Sequence, residues 1–337
     1  MQVPYDLLEK FNIKGAINSI APLGFGHIND SFSIQVESDH FLLQRLNTDV
    51  FKDPEVVENN LYRILEQDQS IFPEHIRGRD HKIHQVKDGK YWRMQEFVLD
   101  SYSPTELTIS ELKGIATGFG KFTKSSAQAK VMNYSEAIPR FHSLELRLDQ
   151  LEAAIKNDSA IRADQIKVEI EAIQNYRWIL EKFQELSRKG LPIRVCHNDA
   201  KAGNCLLSKR TGNFLKIVDL DTVGPGYVMF DLGDMLRSML FNIPENQADL
   251  DGLSIDKKRF ECILNHFLAE CSDSISELEV DSLAFGGLYM TYIMAVRFLT
   301  DYLNGDIYYK TSSPEENLIR TRNQLKILDL MVEFIPA

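Results

Sequence analysis

The apolar residues of this chain follow two different spacings. In the first third they form short runs separated by turn residues, which is typical of β-strands. The predicted strands span residues 17–23, 31–36, 41–46, 81–86 and 91–98. One helix interrupts them, because Asp53-Pro54 is a strong helix start and apolar residues then recur at helical spacing from Val57 to Leu65. This region therefore predicts an antiparallel sheet with one helix.

Beyond the hundredth residue, helical spacing dominates. A capping box from Ser103 to Glu106 is expected to start the first helix of this region. Further helices are predicted at residues 149–156, 164–188, 232–241, 255–271, 276–303 and 314–333. Short apolar runs between them predict strands at residues 193–196, 205–207 and 214–218. The expected fold class is α+β with two lobes, a small sheet lobe at residues 1–98 and a larger, mainly helical lobe at 99–337.

The three short strands of the second lobe bring polar residues to their ends. Asp199 and Asn204 lie in the loop between two of them, and Asp219 ends the third. This spacing matches a kinase catalytic loop, in which Asp199 accepts the proton of an attacking hydroxyl and Asn204 and Asp219 hold Mg²⁺ against phosphates. The alternative is that such residues cap turns, which is their commonest use. The apolar strand ending in Asp-Leu-Asp favours the catalytic interpretation.

Several stretches resemble one known group of enzymes. They are FLLQRLN at 41–47, VFKDP at 50–54, HNDAKAGN at 197–204, VDLDTVGPG at 218–226 and RFLTDYLNGD at 297–306. The chain resembles the aminoglycoside phosphotransferase and choline kinase superfamily, and within it the bacterial N-acetylhexosamine 1-kinases. The resemblance implies a bilobal protein-kinase-like fold. It also implies that ATP, with Mg²⁺, phosphorylates the anomeric hydroxyl of N-acetylglucosamine or N-acetylgalactosamine.

The nucleotide is expected to lie against the sheet. Gly24 and Gly26 occupy the bend after the first strand, where glycines let backbone N–H groups approach a triphosphate, although they also simply permit a turn. The resemblance implies that this bend covers the nucleotide and that Asn29 follows it as in the family. It also implies a hinge at Glu96 to Val98, whose backbone hydrogen-bonds adenine.

The third strand departs from the family pattern, because Gln44-Arg45 stands where kinases carry a lysine that binds the α- and β-phosphates. Side chains alternate between faces, so only one of the two faces the nucleotide. Arg45 has the required charge, alignment favours Gln44, and Arg45 on a solvated face is the competing interpretation. The resemblance implies that Glu58 pairs with the third-strand cation. The alternative is that Glu58 is simply an exposed glutamate on the helix. Lys201 is expected at the γ-phosphate or as a solvated loop lysine.

The acceptor site is expected in the helical lobe. Arg297 and Asp301 share one helix face among apolar residues, where a charged pair is less expected than on a surface. We therefore expect both to line the sugar pocket, with His142 and Arg147 as further candidates. Asp221 is expected as a second metal contact or as an acceptor for a sugar hydroxyl.

Composition restricts the class of partner. The formal charge of −11 argues against nucleic acid or an anionic membrane as the main partner, although a local site can still bind ATP. Four cysteines without C-x-x-C spacing, and the lack of a signal-peptide core, predict a cytoplasmic protein. The sequence does not indicate the oligomeric state. Two alternatives remain: a kinase of another small alcohol such as choline, homoserine or another sugar, and a non-catalytic nucleotide-binding protein.

Overall fold

The computed structural model describes residues 3–24, 28–241 and 243–335. Its first part is a six-stranded antiparallel sheet with the order β1-β2-β3-β6-β4, in which β5 also pairs with β6. The strands are β1 Ile17–Leu23, β2 Asp30–Val36, β3 Asp39–Arg45, β4 His75–Ile76, β5 His84–Lys87 and β6 Lys90–Glu96. The predicted antiparallel sheet is therefore present, with every pairing antiparallel.

Each face of this sheet meets different surroundings. On one face Leu43, Trp92 and Met94 form a buried core with apolar residues around helix α1, Tyr5–Leu8. Helix α2, Pro54–Leu65, buries Leu61 and neighbouring residues of its apolar stripe in the larger core of the molecule. As predicted, Asp53 caps α2, because its carboxylate accepts hydrogen bonds from the backbone N–H groups of the first turn.

The second part is mainly helical and contains the remaining short strands. The helices are α3 Ile109–Ser126, α4 Leu144–Asn157, α5 Lys167–Asn175, α6 Trp178–Arg188, α7 Val228–Met239, α8 Lys257–Cys271, α9 Glu277–Leu303 and α10 Glu316–Phe334. The strands are β7 Ser101–Tyr102, β8 Arg194–Cys196, β9 Cys205–Ser208, β10 Phe214–Ile217 and β11 Gly224–Gly226. Strand β9 lies between β7 and β10, and β8 pairs with β11.

Helix α9 is the core of the helical part. It packs against α7, α10 and α4, and α7 approaches so closely that a Cβ on Gly286 would lie 2.0 Å from the Met229 carbonyl oxygen. By length and composition α9 could cross a membrane, and it is the only described helix of which this is true. Within the fold, 78% of its most apolar window is buried, as expected for a core helix.

One predicted helix start is wrong. The capping box expected at Ser103 is not used, because the chain stays extended through β7 and turns at Leu107, whose φ is +53°. Helix α3 begins instead after Thr108. The Thr108 hydroxyl accepts from the Glu111 N–H at 3.3 Å, and the Glu111 carboxylate accepts from the Thr108 N–H at 2.8 Å. A second box of the same type lies just downstream and satisfies the free N–H groups.

Other predicted elements have different bounds, and for two of them the backbone shows the reason. The single helix expected at 164–188 is two helices, α5 and α6, because Tyr176 leaves the helical backbone conformation. The strand expected at 81–86 starts three residues later in β5, because His81 has a φ of +65° and belongs to a turn.

Candidate active site

The loop between β8 and β9 places two donor side chains on one carboxylate. Asp199 Oδ2 accepts a hydrogen bond from Lys201 Nζ at 2.6 Å and another from Asn204 Nδ2 at 2.8 Å. The same Asn204 amide donates to the Asp199 carbonyl oxygen at 2.8 Å, which closes the loop. Burial raises the pKa of Asp199, but Lys201 outweighs it and the pKa lies below its ordinary value. Asp199 is therefore an ionised acceptor at neutral pH.

Asp219 lies at the end of β10, next to this loop. Its backbone is left-handed, with φ +60°, a conformation that non-glycine residues adopt mostly where the fold requires it. Its carboxylate accepts no hydrogen bond from the described residues. Burial, then the nearby carboxylates of Asp221 and Asp199, raise the pKa of Asp219 to about 7. The site therefore holds more negative charge than the side chains around it neutralise.

The donor set at this position fits Mg²⁺. Magnesium is commonly held by one or two protein oxygens together with substrate phosphates, rather than by a full protein cage. In agreement, the described residues contain no cluster of three His, Cys, Asp or Glu side chains with metal-binding geometry. Asp219 offers an unpaired carboxylate, and Asn204 uses its amide N–H groups on Asp199, which leaves its oxygen for a cation.

Asp231 binds the backbone of the loop between β8 and β9. Its two carboxylate oxygens accept from the backbone N–H groups of His197 at 2.9 Å and Asn198 at 2.7 Å. Asp231 therefore braces this loop. The helix predicted at 232–241 begins earlier, because α7 starts at Val228 and Asp231 lies within its first turn. His197 itself is fully buried, and its ring centre lies 5.3 Å from that of Phe119 in an edge-on arrangement.

The Asp-Leu-Asp motif connects to the sheet through its second carboxylate. Asp221 is 2% exposed and accepts from Asn29 Nδ2 at 2.6 Å and from the Arg93 guanidinium. Arg93 also donates twice to Gln44 Oε1, at 2.9 and 3.1 Å. Asp221 is thus occupied by protein partners, contrary to the expectation that it meets a metal or a sugar hydroxyl. Sequence reasoning missed Arg93 and its contact with Gln44.

The predicted roles of Arg45 and Glu58 do not match the contacts. Arg45 lies on the Trp92 face of the sheet, 6.0 Å from that ring, and pairs with Asp30. Gln44, the alternative, occupies the opposite face and meets Arg93. The Glu58 carboxylate accepts from the backbone N–H groups of the β5 segment at 3.0 and 3.2 Å, so it does not pair with Arg45. Strand alternation decides the first correction, and the approach of β5 to α2 decides the second.

The remaining nucleotide-site predictions stay predictions. Gly24 is exposed in the bend after β1, where an added Cβ would meet nothing within 4 Å, and Gly26 lies outside the described residues. At the hinge the Glu96 N–H is already bonded to the Glu74 carbonyl oxygen at 2.8 Å. The Val98 carbonyl oxygen accepts from a serine hydroxyl of β7 at 2.6 Å.

Arg297 lies in an aromatic environment beside the catalytic loop. Its guanidinium carbon is 5.0 Å from the Phe141 ring centre and 5.6 Å from those of Tyr308 and Tyr309. It forms no ion pair with the described residues. His142 lies nearby, with Nε2 2.9 Å from the Asn198 carbonyl oxygen, and burial lowers the pKa of His142 to about 4. His142 is therefore neutral, and its Nε2–H donates to the loop.

Asp301 does not pair with Arg297, and its carboxylate is bound by the loop that follows α9. Asp301 is 5% exposed and accepts from the N–H groups of Ile307 and Tyr308 at 3.0 and 2.8 Å. It also accepts from Tyr309 N at 3.0 Å and from an asparagine amide of α10 at 2.9 Å. These four bonds match the acceptor capacity of a carboxylate, so Asp301 shapes the loop that carries the two tyrosines.

Arg147 also has protein partners. It donates to the Phe141 carbonyl oxygen at 3.0 Å and to Gln150 Oε1 at 2.9 Å. Arg147 therefore fixes the backbone of Phe141, the residue whose ring lies under Arg297. Its predicted contact with a substrate stays a prediction, and its observed contacts place it behind Phe141.

A cavity of about 420 Å³ adjoins this region. Its wall combines aromatic rings, among them Phe141, Phe183 and Phe230, with polar and charged residues that include His142 and Asn198. Asp199 and Asp219 do not line it. The cavity therefore lies to one side of Asp199 and Asp219, and Asn198 and Thr222 in its wall come from the two chain segments that carry these carboxylates.

Comparisons with known structures agree with this arrangement. An aminoglycoside phosphotransferase from Alicyclobacillus acidocaldarius superposes with a TM-score of 0.67 at 14% identity, covering 99% of this chain and 98% of that chain. A spectinomycin phosphotransferase solved with ADP and spectinomycin gives 0.63 at 13% identity, with coverage of 97% and 96%. The choline kinase from Streptococcus pneumoniae gives 0.57 at 15% identity, with coverage of 93% and 94%. At these identities the likeness establishes the kinase-like fold.

Sequence comparison establishes the family. The Phosphotransferase enzyme family matches residues 19–256, which is more than half of the chain and includes the sheet, the catalytic loop and the Asp-Leu-Asp motif. The expected superfamily is thereby confirmed. By this match and its kinase-like fold, the chain belongs to the Phosphotransferase enzyme family.

Proposed function

We propose that this chain is an ATP- and Mg²⁺-dependent kinase that phosphorylates the anomeric hydroxyl of N-acetylglucosamine or N-acetylgalactosamine. The observation that carries the kinase part is the ionised Asp199 held by Lys201 and Asn204, with the unpaired carboxylate of Asp219 beside it. In this proposal Asp199 accepts the proton of the attacking hydroxyl while the Asn204 amide keeps its Oδ2 oriented. Lys201 turns toward the γ-phosphate when the nucleotide is bound.

Asp219 and the Asn204 oxygen would hold the magnesium ion. When bound there, the ion supplies charge neutralisation for the triphosphate and lowers the excess negative charge around Asp219. The protein's own contribution is the left-handed backbone at Asp219, which fixes where the carboxylate points. No pKa shift of Asp199 upward is needed, since a proton-accepting carboxylate must be ionised at neutral pH.

In the proposal, residues 1–98 form the nucleotide-binding lobe and residues 99–337 the catalytic and substrate-binding lobe. Gly24, Gly26 and Asn29 cover the phosphates, and the backbone at the hinge binds adenine. The ADP found in the spectinomycin phosphotransferase supports a nucleotide in this cleft. We also propose a cytoplasmic location, because the four cysteines are free and the one described helix that is long and apolar enough to cross a membrane is mostly buried.

The acceptor region favours a neutral polyhydroxylated molecule. Choline carries a positive nitrogen, which needs an aromatic cage or an unpaired carboxylate. Here a guanidinium, Arg297, already occupies the ring-lined position, and it would repel a cationic acceptor. The nearby carboxylate of Asp234 is paired with Arg237 at 3.0 Å. The five N–H groups of an arginine suit the hydroxyl and acetamido oxygens of an N-acetylhexosamine.

The test is ³¹P NMR of the products formed from ATP and Mg²⁺ with each acceptor in parallel. We expect a sugar 1-phosphate signal with N-acetylglucosamine or N-acetylgalactosamine, and none with choline or homoserine. The relative yields rank the two epimers. Phosphocholine in place of a sugar phosphate would establish the kinase of another alcohol. Nucleotide binding without any phosphorylated product would favour the non-catalytic alternative.

Replacing Arg297 with leucine tests the acceptor assignment. We expect KM for the sugar to rise about tenfold or more, because a charged hydrogen bond contributes about 1.5–3 kcal/mol, while KM for ATP stays within about twofold. Initial rates at varied sugar and varied ATP measure both constants. The matched control is Arg177→Leu, a half-exposed arginine that pairs with Glu152 far from the loop. An unchanged KM for the sugar would exclude Arg297 from the acceptor site.

A further inference from the structure

We propose that Arg93, on β6, supplies the phosphate-binding cation that kinases take from a lysine on the third strand. The inference rests on the proposed nucleotide-binding function and assigns a positioning and binding role within the same site. It explains how a chain with Gln44-Arg45 on β3 can still present a positive charge to a triphosphate.

Strand register puts Arg93 beside the position of the missing lysine. In the antiparallel pair β3–β6, Gln44 lies directly opposite Arg93, and Arg45 lies opposite Trp92. Directly paired residues project from the same face of a sheet, so the Gln44 and Arg93 side chains share one face. The hydrogen bonds of 2.9 and 3.1 Å from the guanidinium to Gln44 Oε1 confirm this. The positive charge therefore lies on the neighbouring strand β6 and not on β3.

The guanidinium lies where the phosphates of a nucleotide would pass. It contacts Asp221, two residues from the proposed metal ligand Asp219. The other oxygen of Asp221 is bonded to Asn29, the residue that follows the glycine bend. Arg93 therefore lies where Asn29, the third strand and the Asp-Leu-Asp motif meet, and in kinases the corresponding segments surround the nucleotide triphosphate.

Arg93 retains donors for a ligand. A guanidinium has five N–H groups, and three of them donate to Gln44 and Asp221. The other two form no hydrogen bond with the described residues. Arg93 is only 3% exposed, and an arginine so deeply buried with part of its donors unused is expected where an anion binds.

The two histidines beside Arg93 add no positive charge to this part of the sheet. His75 and His84 lie close by, and burial together with Arg93 lowers the pKa of each to about 3, so both are neutral. Asp221 is the one carboxylate that pairs with Arg93 among the described residues. A purely structural ion pair between the two parts of the molecule would need only this contact, whereas a phosphate-binding role predicts a specific dependence on the ligand's phosphates.

The test compares ADP with adenosine, which shares the base and ribose but carries no phosphate. Affinities are measured by calorimetry with Mg²⁺, with adenosine measured by displacement of ADP. In Arg93→Met we expect the ADP affinity to fall at least tenfold and the adenosine affinity to stay within about twofold. Arg45→Met, which removes the arginine on the other face, is the matched control and should leave both affinities unchanged.

A charge transplant separates this role from a structural one. In Gln44→Lys combined with Arg93→Met, the cation returns to the third strand, and we expect most of the lost ADP affinity to return. A variant that fails to fold is replaced by Arg93→Lys, which keeps the charge but cannot serve both Asp221 and a phosphate, and the same selective loss for ADP is expected.

Two results would overturn the inference. If Arg93→Met, or Arg93→Lys in its place, weakens ADP and adenosine equally, or neither, then Arg93 is only a structural link between the two lobes. If the wild-type protein binds neither ligand, the nucleotide-binding function itself fails and the inference fails with it. The wild-type titration therefore tells the two failures apart.

Discussion

Replacing Asp199 with asparagine is expected to lower kcat by about 10³-fold or more, since a general base contributes about 10²- to 10⁴-fold and also orients the nucleophile. The amide cannot accept the proton of the sugar hydroxyl. It has the same shape as the carboxylate, so the hydrogen bond from Asn204, at 2.8 Å in the wild type, can persist. Steady-state kinetics with saturating ATP and sugar measures the change.

Binding and stability should change little in Asp199→Asn. The ADP affinity is expected to stay within a few-fold of wild type, because Asp199 contacts Lys201 and Asn204 and not the adenine hinge. Asp164→Asn is a matched control, since Asp164 is 96% exposed in a surface pair, and it should retain full activity. Near-wild-type turnover by Asp199→Asn would show that the proton acceptor is another group or that none is needed.

The catalytic loop could be predicted because its geometry is local. Asp199 and Asn204 are five residues apart in one loop, and Asp219 follows on the next hairpin, so spacing alone places them together. Helix starts with a complete chemical signature, such as Asp53-Pro54, were predicted for the same reason. The capping box at Ser103 shows the limit, because an equivalent box at Thr108 has the same signature and the surrounding strand decides between them.

Long-range pairing determined what the sequence did not show. The strand 91–96 alternates Trp92 and Met94 with Arg93 and Gln95, which signals that Arg93 faces away from the apolar core. Its partner Gln44, however, lies 49 positions earlier, and only the register of β3 with β6 brings the two together. The sequence analysis expected the cation on the third strand, whereas the contacts put Arg93 of β6 beside Gln44.

Charged residues on helices were the least predictable. The i, i+4 spacing of Arg297 and Asp301 among apolar residues suggested that both line one pocket, yet Asp301 accepts hydrogen bonds from three backbone N–H groups of the loop that follows α9. Buried N–H groups without a partner cost about 1–3 kcal/mol each, so a carboxylate that satisfies three of them has a strong structural reason to be there. Arg297 is left without an ion pair to the described residues, which supports its proposed role in the acceptor site.

Replacing Asp219 with asparagine should lower kcat by about 10²- to 10³-fold and raise the Mg²⁺ concentration needed for half-maximal activity at least tenfold. The reason is that a neutral amide keeps the shape of the ligand but removes the charge that attracts the cation. Rates measured across a magnesium titration at fixed ATP separate the two effects. Asp249→Asn, in an exposed loop, is the control and should follow the wild-type titration.

The same substitution should stabilise the metal-free protein. Burial and the neighbouring carboxylates raise the pKa of Asp219 to about 7, above its ordinary value of 3.8, so the ionised form is disfavoured in the folded state. The wild type therefore loses stability as the pH rises from about 4 to about 7, and Asp219→Asn escapes that loss. In EDTA at pH 8 the variant should melt at least about 2 °C higher, with the difference vanishing near pH 4.

Together the two measurements define the role of Asp219. A structural carboxylate would lower both activity and melting temperature when it is replaced, whereas a metal ligand held near other negative charges lowers activity and raises melting temperature. A lower melting temperature in EDTA, or an unchanged magnesium requirement, would contradict the metal assignment. A gain in stability with a loss of activity would mean that the site keeps a costly cluster of Asp199, Asp219 and Asp221 because the cation and the triphosphate neutralise it during turnover.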